Sequence, residues 1–302
     1  MSAPAIALDA MGGDHAPAAA VAGALRAAAD GLSVLLVGRR PELAAALERA
    51  GAPGGLEIVD AAEVVGNDED PVIGVRGKPR ASIRVAAELV ADGRAGALLS
   101  AGSTGATLAT ALLTLGRIGG IRRPAVAAVL PVGGDGVILL DAGGSADPQP
   151  DALAAYARMG VAYAQVRGVR EPRVGLLNVG AEAGKGNALA RGAHELLVGE
   201  PAFTGNVEPS EVFAGAVDVV VTDGFTGNVF LKTAEAVARP AQLADDAGAA
   251  VLLGVRGEVL VAHGAAGEAE FAGGLRTAHA VAGAGLSLRV AQRLGDAQPL
   301  GG

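Results

Sequence analysis

The amino-acid sequence predicts an α/β protein with a largely parallel sheet and helices on both of its faces. Short apolar runs alternate with Ala-rich helical stretches along the 302 residues, the order that βαβ units require. The runs are near-continuously apolar, as strands covered on both faces are. Several end in a Gly-rich polar turn that opens the next helix, and ligands of such sheets bind beyond the carboxyl ends of the strands.

Ala5–Leu8 is the first predicted strand and Ala18–Ala29 the first helix, with Pro17 in its first turn, where a missing N–H costs nothing. Val34–Val37 and Pro41–Ala50 give the next strand and helix. Gly66–Arg80 is polar and turn-rich and predicts a long loop, a feature that is often functional in compact domains. Ser82–Ala91, Ala97–Leu99 and Thr104–Leu115 continue as helix, strand and helix. Ala125–Leu130 and Val137–Leu140 form a strand hairpin, followed by the helix Ala152–Gln165. Val174–Leu177, Ala188–Leu197, Val217–Val221 and Thr226–Ala238 repeat the alternation. A late helix runs from about Leu275 to Leu294, and a frayed tail is expected after Gly295.

Hydrophobic residues make up 51% of the chain and aromatics only 2%, so the core is built from Ala, Val and Leu. The length suits one large α/β domain spanning 1–302. A net charge of −8, without a basic and aromatic stripe, argues against nucleic acid as a partner. The absence of Cys excludes disulfides, thiolate metal sites and a cysteine nucleophile, and fits a reducing compartment. No leader peptide is expected, and no apolar stretch reaches the ~18 residues of a membrane span. Of the 24 basic residues only Lys78, Lys185 and Lys232 are lysines. In a chain that otherwise uses Arg, a Lys can mark a position suited to a compact ammonium.

The turns carry the candidate chemistry. Asp9-Ala10-Met11-Gly12-Gly13-Asp14-His15-Ala16-Pro17 joins the first strand to the first helix. Gly12 and Gly13 let the backbone approach a small anion. Asp9, Asp14 and His15 add three polar groups, and an imidazole exchanges protons near neutral pH. Ser103, Thr104 and Gly105 open a helix with hydroxyl and N–H groups suited to an anion, although a lone motif of this kind is also an ordinary N-cap. Asn178 to Asn187 places Lys185 in a Gly-rich loop that lacks the Ser or Thr a P-loop needs after its Lys. Asp223 closes the strand Val217–Val221 and precedes a helix, as a site carboxylate or as an N-cap. Asn228 stands in the same segment, and Lys232 lies inside the helix, where a structural role is expected. His194, His263 and His279 show no metal-ligand spacing, and no metal site is expected.

Six segments together resemble the bacterial phosphate acyltransferases, which move a fatty acyl group from acyl carrier protein to inorganic phosphate in phospholipid synthesis. They are DAMGGDHAP from Asp9, SAGSTGA from Ser100, GRIGGIRRPA from Gly116, VGLLNVG from Val174 with GKGN from Gly184, GNVE from Gly205, and VVVTDGFTGNVFLKT from Val219. The resemblance spans roughly residues 5–235. It implies a three-layer αβα fold like that of isopropylmalate dehydrogenase, no cofactor, a cytoplasmic location and a homodimer. The chain departs from the family at Ser103 and Ser145, each in place of an Asn, and at Ala265-Ala266, in place of Ser-Ser. The family's long helical hairpin is shortened to a segment near 236–256, which weakens the expected peripheral membrane contact.

The resemblance also implies a mechanism. Phosphate, bound by Gly12, Gly13, Asp14, Ser103, Thr104 and Gly105, attacks the thioester carbonyl directly, with no acyl-enzyme. Lys185 offsets negative charge, and Asn187 and Asn228 donate hydrogen bonds. Asp223 orients Lys185 or takes a proton from phosphate, and His15 can do either. The acidic carrier protein would dock on Arg117, Arg122 and Arg123, or on Arg76, Lys78, Arg80 and Arg84. The alternatives are a short-chain phosphate acyltransferase using acetyl-coenzyme A and a non-catalytic dimeric binding or scaffold protein. A nicotinamide-dependent decarboxylating dehydrogenase is a further one, disfavoured because no cluster of metal-binding aspartates is evident.

Overall fold

A computed structural model describes residues 4–132, 136–238 and 249–296. Its strands are β1 (Ile6–Asp9), β2 (Val34–Gly38), β3 (Glu57–Asp60), β4 (Ala97–Ser100), β5 (Ala125–Leu130) and β6 (Val137–Leu140). They continue with β7 (Val174–Leu177), β8 (Phe203–Val207), β9 (Val219–Val221), β10 (Ala250–Leu253) and β11 (Glu258–Val261). The helices are α1 (Ala18–Ala29), α2 (Arg40–Arg49), α3 (Pro71–Gly77), α4 (Ser82–Ala91), α5 (Thr104–Thr110) and α6 (Pro150–Val166). After them come α7 (Ala188–Leu197), α8 (Pro209–Phe213), α9 (Gly224–Ala238), α10 (Glu268–Ala284) and α11 (Leu286–Leu294). The architecture is the three-layer αβα fold with a mostly parallel sheet that the sequence predicts.

Three of the predicted segments take a different form for local reasons, and β3, β8, α8, β10 and β11 are elements that the sequence reading does not include. Gly66–Arg80 contains the short helix α3, because Asp70 caps it through the Val72 and Ile73 N–H groups and Pro71 occupies its first turn. The late helix is two helices, since Gly285 adopts φ +61° and closes α10 in a left-handed cap. Thr104–Leu115 begins as α5 and ends in a wider π turn over Ala111–Leu115. Of the segment near 236–256, 236–238 finish α9, 239–248 lie outside the described residues, and Ala250–Leu253 is β10. The tail beyond Asp296 also lies outside them.

The chain divides into two compact units. The first holds the described residues 4–117 and 249–287. Its strand order is β3-β2-β1-β4-β11-β10, parallel except for the antiparallel β10–β11 pair. All four residues of β1 are buried, as are those of β4 and β11, which is why their sequences are nearly unbroken apolar runs. Asp9 lies in register with Ser100, and Ser100 with Val261. The chain therefore leaves β1, β4 and β11 at one level of the sheet.

The second unit holds 118–132, 136–238 and 288–296. Its order is β5-β6-β9-β7-β8, with β5–β6 antiparallel and the other pairs parallel. Val221 of β9 lies in register with Leu140 of β6 and Leu176 of β7. The turns after these strands consequently emerge side by side. Helix α6 supplies two fully buried aromatics, Tyr156 and Tyr163, to a core otherwise made of small aliphatic side chains.

Candidate active site

In the first unit, buried Asp9 organises the strand ends. Its carboxylate accepts from the Ser100 hydroxyl at 2.7 Å and from the Met11 N–H at 3.3 Å. The Ser100 oxygen in turn accepts from the Gly102 N–H at 3.0 Å, so one carboxylate ties the turn after β1 to the turn after β4. Burial pushes the Asp9 carboxyl above the ordinary aspartate range, against hydrogen bonds from Ser82, Ser100 and the Met11 and Gly12 amides. The two turns touch at Gly12, where a Cβ would stand 2.7 Å from the Gly102 nitrogen and 2.9 Å from Asp9 Oδ2. Only glycine permits that approach.

The neighbouring predicted residues fall around this knot. Gly13 takes φ +100°, and the Asp14 N–H donates to the Gly264 carbonyl at 2.7 Å. Asp14 and His15 are exposed. The Ser103 hydroxyl accepts from the Ala106 N–H at 3.3 Å and so caps α5, Thr104 is exposed, and Gly105 packs on Pro71. The structure adds His263, which follows β11, is exposed, and accepts from the Ala265 N–H through Nδ1 at 3.1 Å. The sequence signal for it was available: His263-Gly264 follows an apolar run as the other turns do.

The second unit repeats the device. Asp141, fully buried after β6, accepts from the N–H groups of Val126, Gly143, Gly144 and Ser145 at 2.9, 3.1, 2.8 and 2.7 Å. Burial raises its pKa, and these four donors oppose the rise. Helix α9 sits directly on this loop, with the Gly224 N–H donating to the Ser145 carbonyl at 2.8 Å. A Cβ on Gly227 would stand 1.9 Å from the Asp141 carbonyl oxygen.

Asp223 caps α9, its carboxylate accepting from the Thr226 N–H at 2.8 Å and the Thr226 hydroxyl at 2.7 Å. Asn187 likewise caps α7 through the Ala190 N–H at 2.8 Å. Lys185 is exposed on the loop between β7 and α7 and forms no ion pair among the described residues, with Asp223 or with any other carboxylate. Asn228 stands one turn into α9, its Nδ2 beside Gly143. With Gly143, Ala146, Phe225, Val229 and exposed Lys232 it lines an open, mainly apolar groove of about 640 Å³. Asp9, Ser100, Asp141 and Asn178 stand in the strand-end turns that the sequence singles out, without a site role assigned to them there. Their shared signal is a polar residue ending a buried apolar run.

The basic loop of the first unit is largely neutralised. Lys78 Nζ lies 2.5 Å from Glu69, Arg80 is 2.9 Å from Asp60, and Arg84 is 3.1 Å from Glu88. Among the described residues there is no group of three or more His, Asp or Glu placed to hold a metal ion.

A parallel sheet whose carboxyl ends carry polar Gly-rich turns is an α/β architecture that presents ligand-binding groups at those turns. Solved structures share the fold. The EutD phosphotransacetylase of Staphylococcus aureus matches with a TM-score of 0.67 and 15% identity, over 92% of this chain and 94% of that one. A 4-hydroxythreonine-4-phosphate dehydrogenase of Klebsiella pneumoniae matches with a TM-score of 0.60 and 14% identity, over 93% and 98%. Sequence likeness is more specific. The profile described as "Fatty acid synthesis protein" matches residues 5–246. The phosphate acyltransferase of Thermus thermophilus is 45% identical over 96% of this chain and 98% of its own, and that of Heliobacterium modesticaldum is 52% identical over 76% and 70%. The chain belongs to this family, the bacterial phosphate acyltransferases, and is an enzyme.

Proposed function

We propose that the enzyme transfers a fatty acyl group from acyl carrier protein to inorganic phosphate, giving an acyl phosphate for phospholipid synthesis. The observation that carries this reading is an exposed Lys185, without an ionic partner among the described residues, in a Gly-rich loop of a phosphate acyltransferase relative. A phosphate oxygen attacks the thioester carbonyl. The C–O bond forms as the C–S bond breaks, and the thiolate leaves with the electron pair and takes up a proton. Because a thiolate leaves readily, positioning and charge stabilisation are the enzyme's main tasks. The turns at Gly12–Asp14 and Ser103–Gly105 bind phosphate through backbone N–H groups. Lys185 offsets the charge that develops on the carbonyl oxygen. Asn187 and Asn228 contribute amide donors, although Asn187 Oδ1 is already committed to its cap. Asp223 or His15 receives the phosphate proton.

The carrier protein docks on Arg117, Arg122 and Arg123 or on Arg76, Lys78, Arg80 and Arg84 in this reading; both stretches hold paired charges, Arg122 with Asp151 at 3.5 Å and Lys78, Arg80 and Arg84 with Glu69, Asp60 and Glu88. The family resemblance supports a single functional domain and a cytoplasmic homodimer. It also supports a weak peripheral membrane contact, reduced by the shortened segment after α9. The described residues include no helix long and apolar enough to cross a membrane. Hydroxylamine trapping of acyl phosphate from long-chain acyl-carrier protein, set against acetyl-coenzyme A, tests the donor. Preference for the long-chain carrier substrate is expected. Preference for acetyl-coenzyme A would replace this reading with the short-chain one, and no acyl phosphate from either would contradict acyl carrier protein as the donor.

A further inference from the structure

Among the described residues Lys185 has no ionic partner to aim it, so its position is set by its backbone. That backbone is fixed from two sides. The Lys185 N–H donates to the Glu182 carbonyl at 3.0 Å, closing a turn. The same carbonyl accepts a second bond, from Asn206 Nδ2 at 2.8 Å. On the other side, the Lys185 carbonyl accepts from Asn178 Nδ2 at 3.1 Å. Asn206 lies in β8 and Asn178 directly follows the adjacent β7, and both are buried. Two asparagines, one in β8 and one just past the neighbouring β7, thus clamp Glu182 and Lys185.

A third residue orients this clamp. His194 of α7 places Nδ1 3.1 Å from Asn206 Oδ1 and stands edge-on to Phe203 at 5.3 Å. The Glu182 carbonyl can only accept, so the Asn206 amide must turn its NH₂ toward the loop and its oxygen toward the histidine. His194 Nδ1 is then the donor, and it holds the amide in the one orientation that serves the loop. The loop is also tight at the next residue. Gly186 takes φ +89°, and a Cβ there would stand 2.5 Å from Asn178 Oδ1.

We infer that Asn206, Asn178 and His194 are positioning residues that set where the Lys185 ammonium is delivered. This inference rests on the role given to Lys185 above. A small misplacement of a charge-stabilising group can cost on the order of 100-fold in rate, so a loosened clamp should act on turnover more than on folding.

The test is a double-variant cycle combined with amide hydrogen exchange. Asn206→Ala should slow phosphate-dependent acyl transfer roughly 10- to 100-fold and speed exchange across residues 179–187. His194→Ala should do both to a smaller degree, with its unfolding temperature close to that of the parent. Asn206→Asp, which keeps the shape but loses the donor, should behave like Asn206→Ala. Added to Lys185→Ala, Asn206→Ala should cause no further loss, because it acts through the lysine. A full multiplicative loss in the double variant, or unchanged exchange in 179–187, overturns the inference. If Lys185→Ala alone leaves the rate intact, it is the catalytic role of the lysine that fails. The clamp is then judged by exchange, where faster exchange in His194→Ala and Asn206→Ala upholds it and unchanged exchange refutes it. Should Asn206→Ala not fold, His194→Ala carries both readouts.

Discussion

Asp9 and Asp141 do the same work with different partners: Asp9 ends β1 and accepts from the Met11 amide and the Ser100 hydroxyl of β4, and Asp141 follows β6 and accepts from the Gly143, Gly144 and Ser145 amides. Their type and place were legible in the sequence, but their role was not, because hydrogen-bond partners such as Ser100 lie 91 residues away. Asp223 shows the converse. The site carboxylate and the helix cap were both readable from Thr222-Asp223-Gly224, and the structure shows the cap. The two functions separate in variants. Asp223→Asn keeps an acceptor for Thr226 and should hold the thermal midpoint while losing about 100-fold in acyl phosphate formation, the scale of a transition-state contact. Asp223→Ala should lose both activity and about 1 kcal/mol of stability; an active Asn variant would leave Asp223 only its cap. Glu258, at the start of β11, accepts from the Ser287 N–H and hydroxyl, both at 2.8 Å, and burial pushes its pKa up to about 7 from 4.5. The folded state therefore binds the extra proton between these values, and the stability this provides is full below about 4.5 and lost as pH rises through 7. Glu258→Gln should become more stable relative to the parent between pH 5 and pH 8, measured as the difference in unfolding midpoint; a difference independent of pH would show that the carboxyl is not buried at this cost.

At the scale of elements, the buried strands were the most legible part of the fold. β1, β2, β4, β5, β6 and β7 are near-unbroken apolar runs and appear where expected. The sequence does not announce β3, whose Glu57-Ile58-Val59-Asp60 is that of a largely exposed edge strand, or β8, which Thr204, Gly205 and Asn206 interrupt; the short buried strands β10 and β11 were not expected either. Asn206 is among the residues that the missed strand carries toward the Lys185 loop, so an error in strand assignment hid a part of the site. The break between α10 and α11 rests on one left-handed glycine, which periodicity across Leu275–Leu294 does not reveal. The seat of α9 depends on another. Gly227→Ala would drive a methyl group into the Asp141 carbonyl, and overpacking of this severity should cost about 3 kcal/mol. Thermal unfolding of the variant checks this, and a midpoint equal to the parent's would mean that α9 does not rest on the Asp141 loop.

For the whole molecule, composition determined the character of the core more than the identity of the site. A chain with 2% aromatics packs through small side chains, and its two units each end their parallel strands in turns pinned by a buried acid. Family membership followed from six short segments in order, whereas the organising roles of Asp9, Asp141, Asn178 and Asn206 required coordinates. The proposed reaction depends on Lys185 stabilising charge during transfer of an acyl group to phosphate. The most direct measurement is the rate of phosphate-dependent acyl hydroxamate formation from long-chain acyl-carrier protein by Lys185→Ala beside the parent enzyme. A loss of at least ~100-fold is predicted, with the unfolding midpoint unchanged; a rate near the parent's would contradict it.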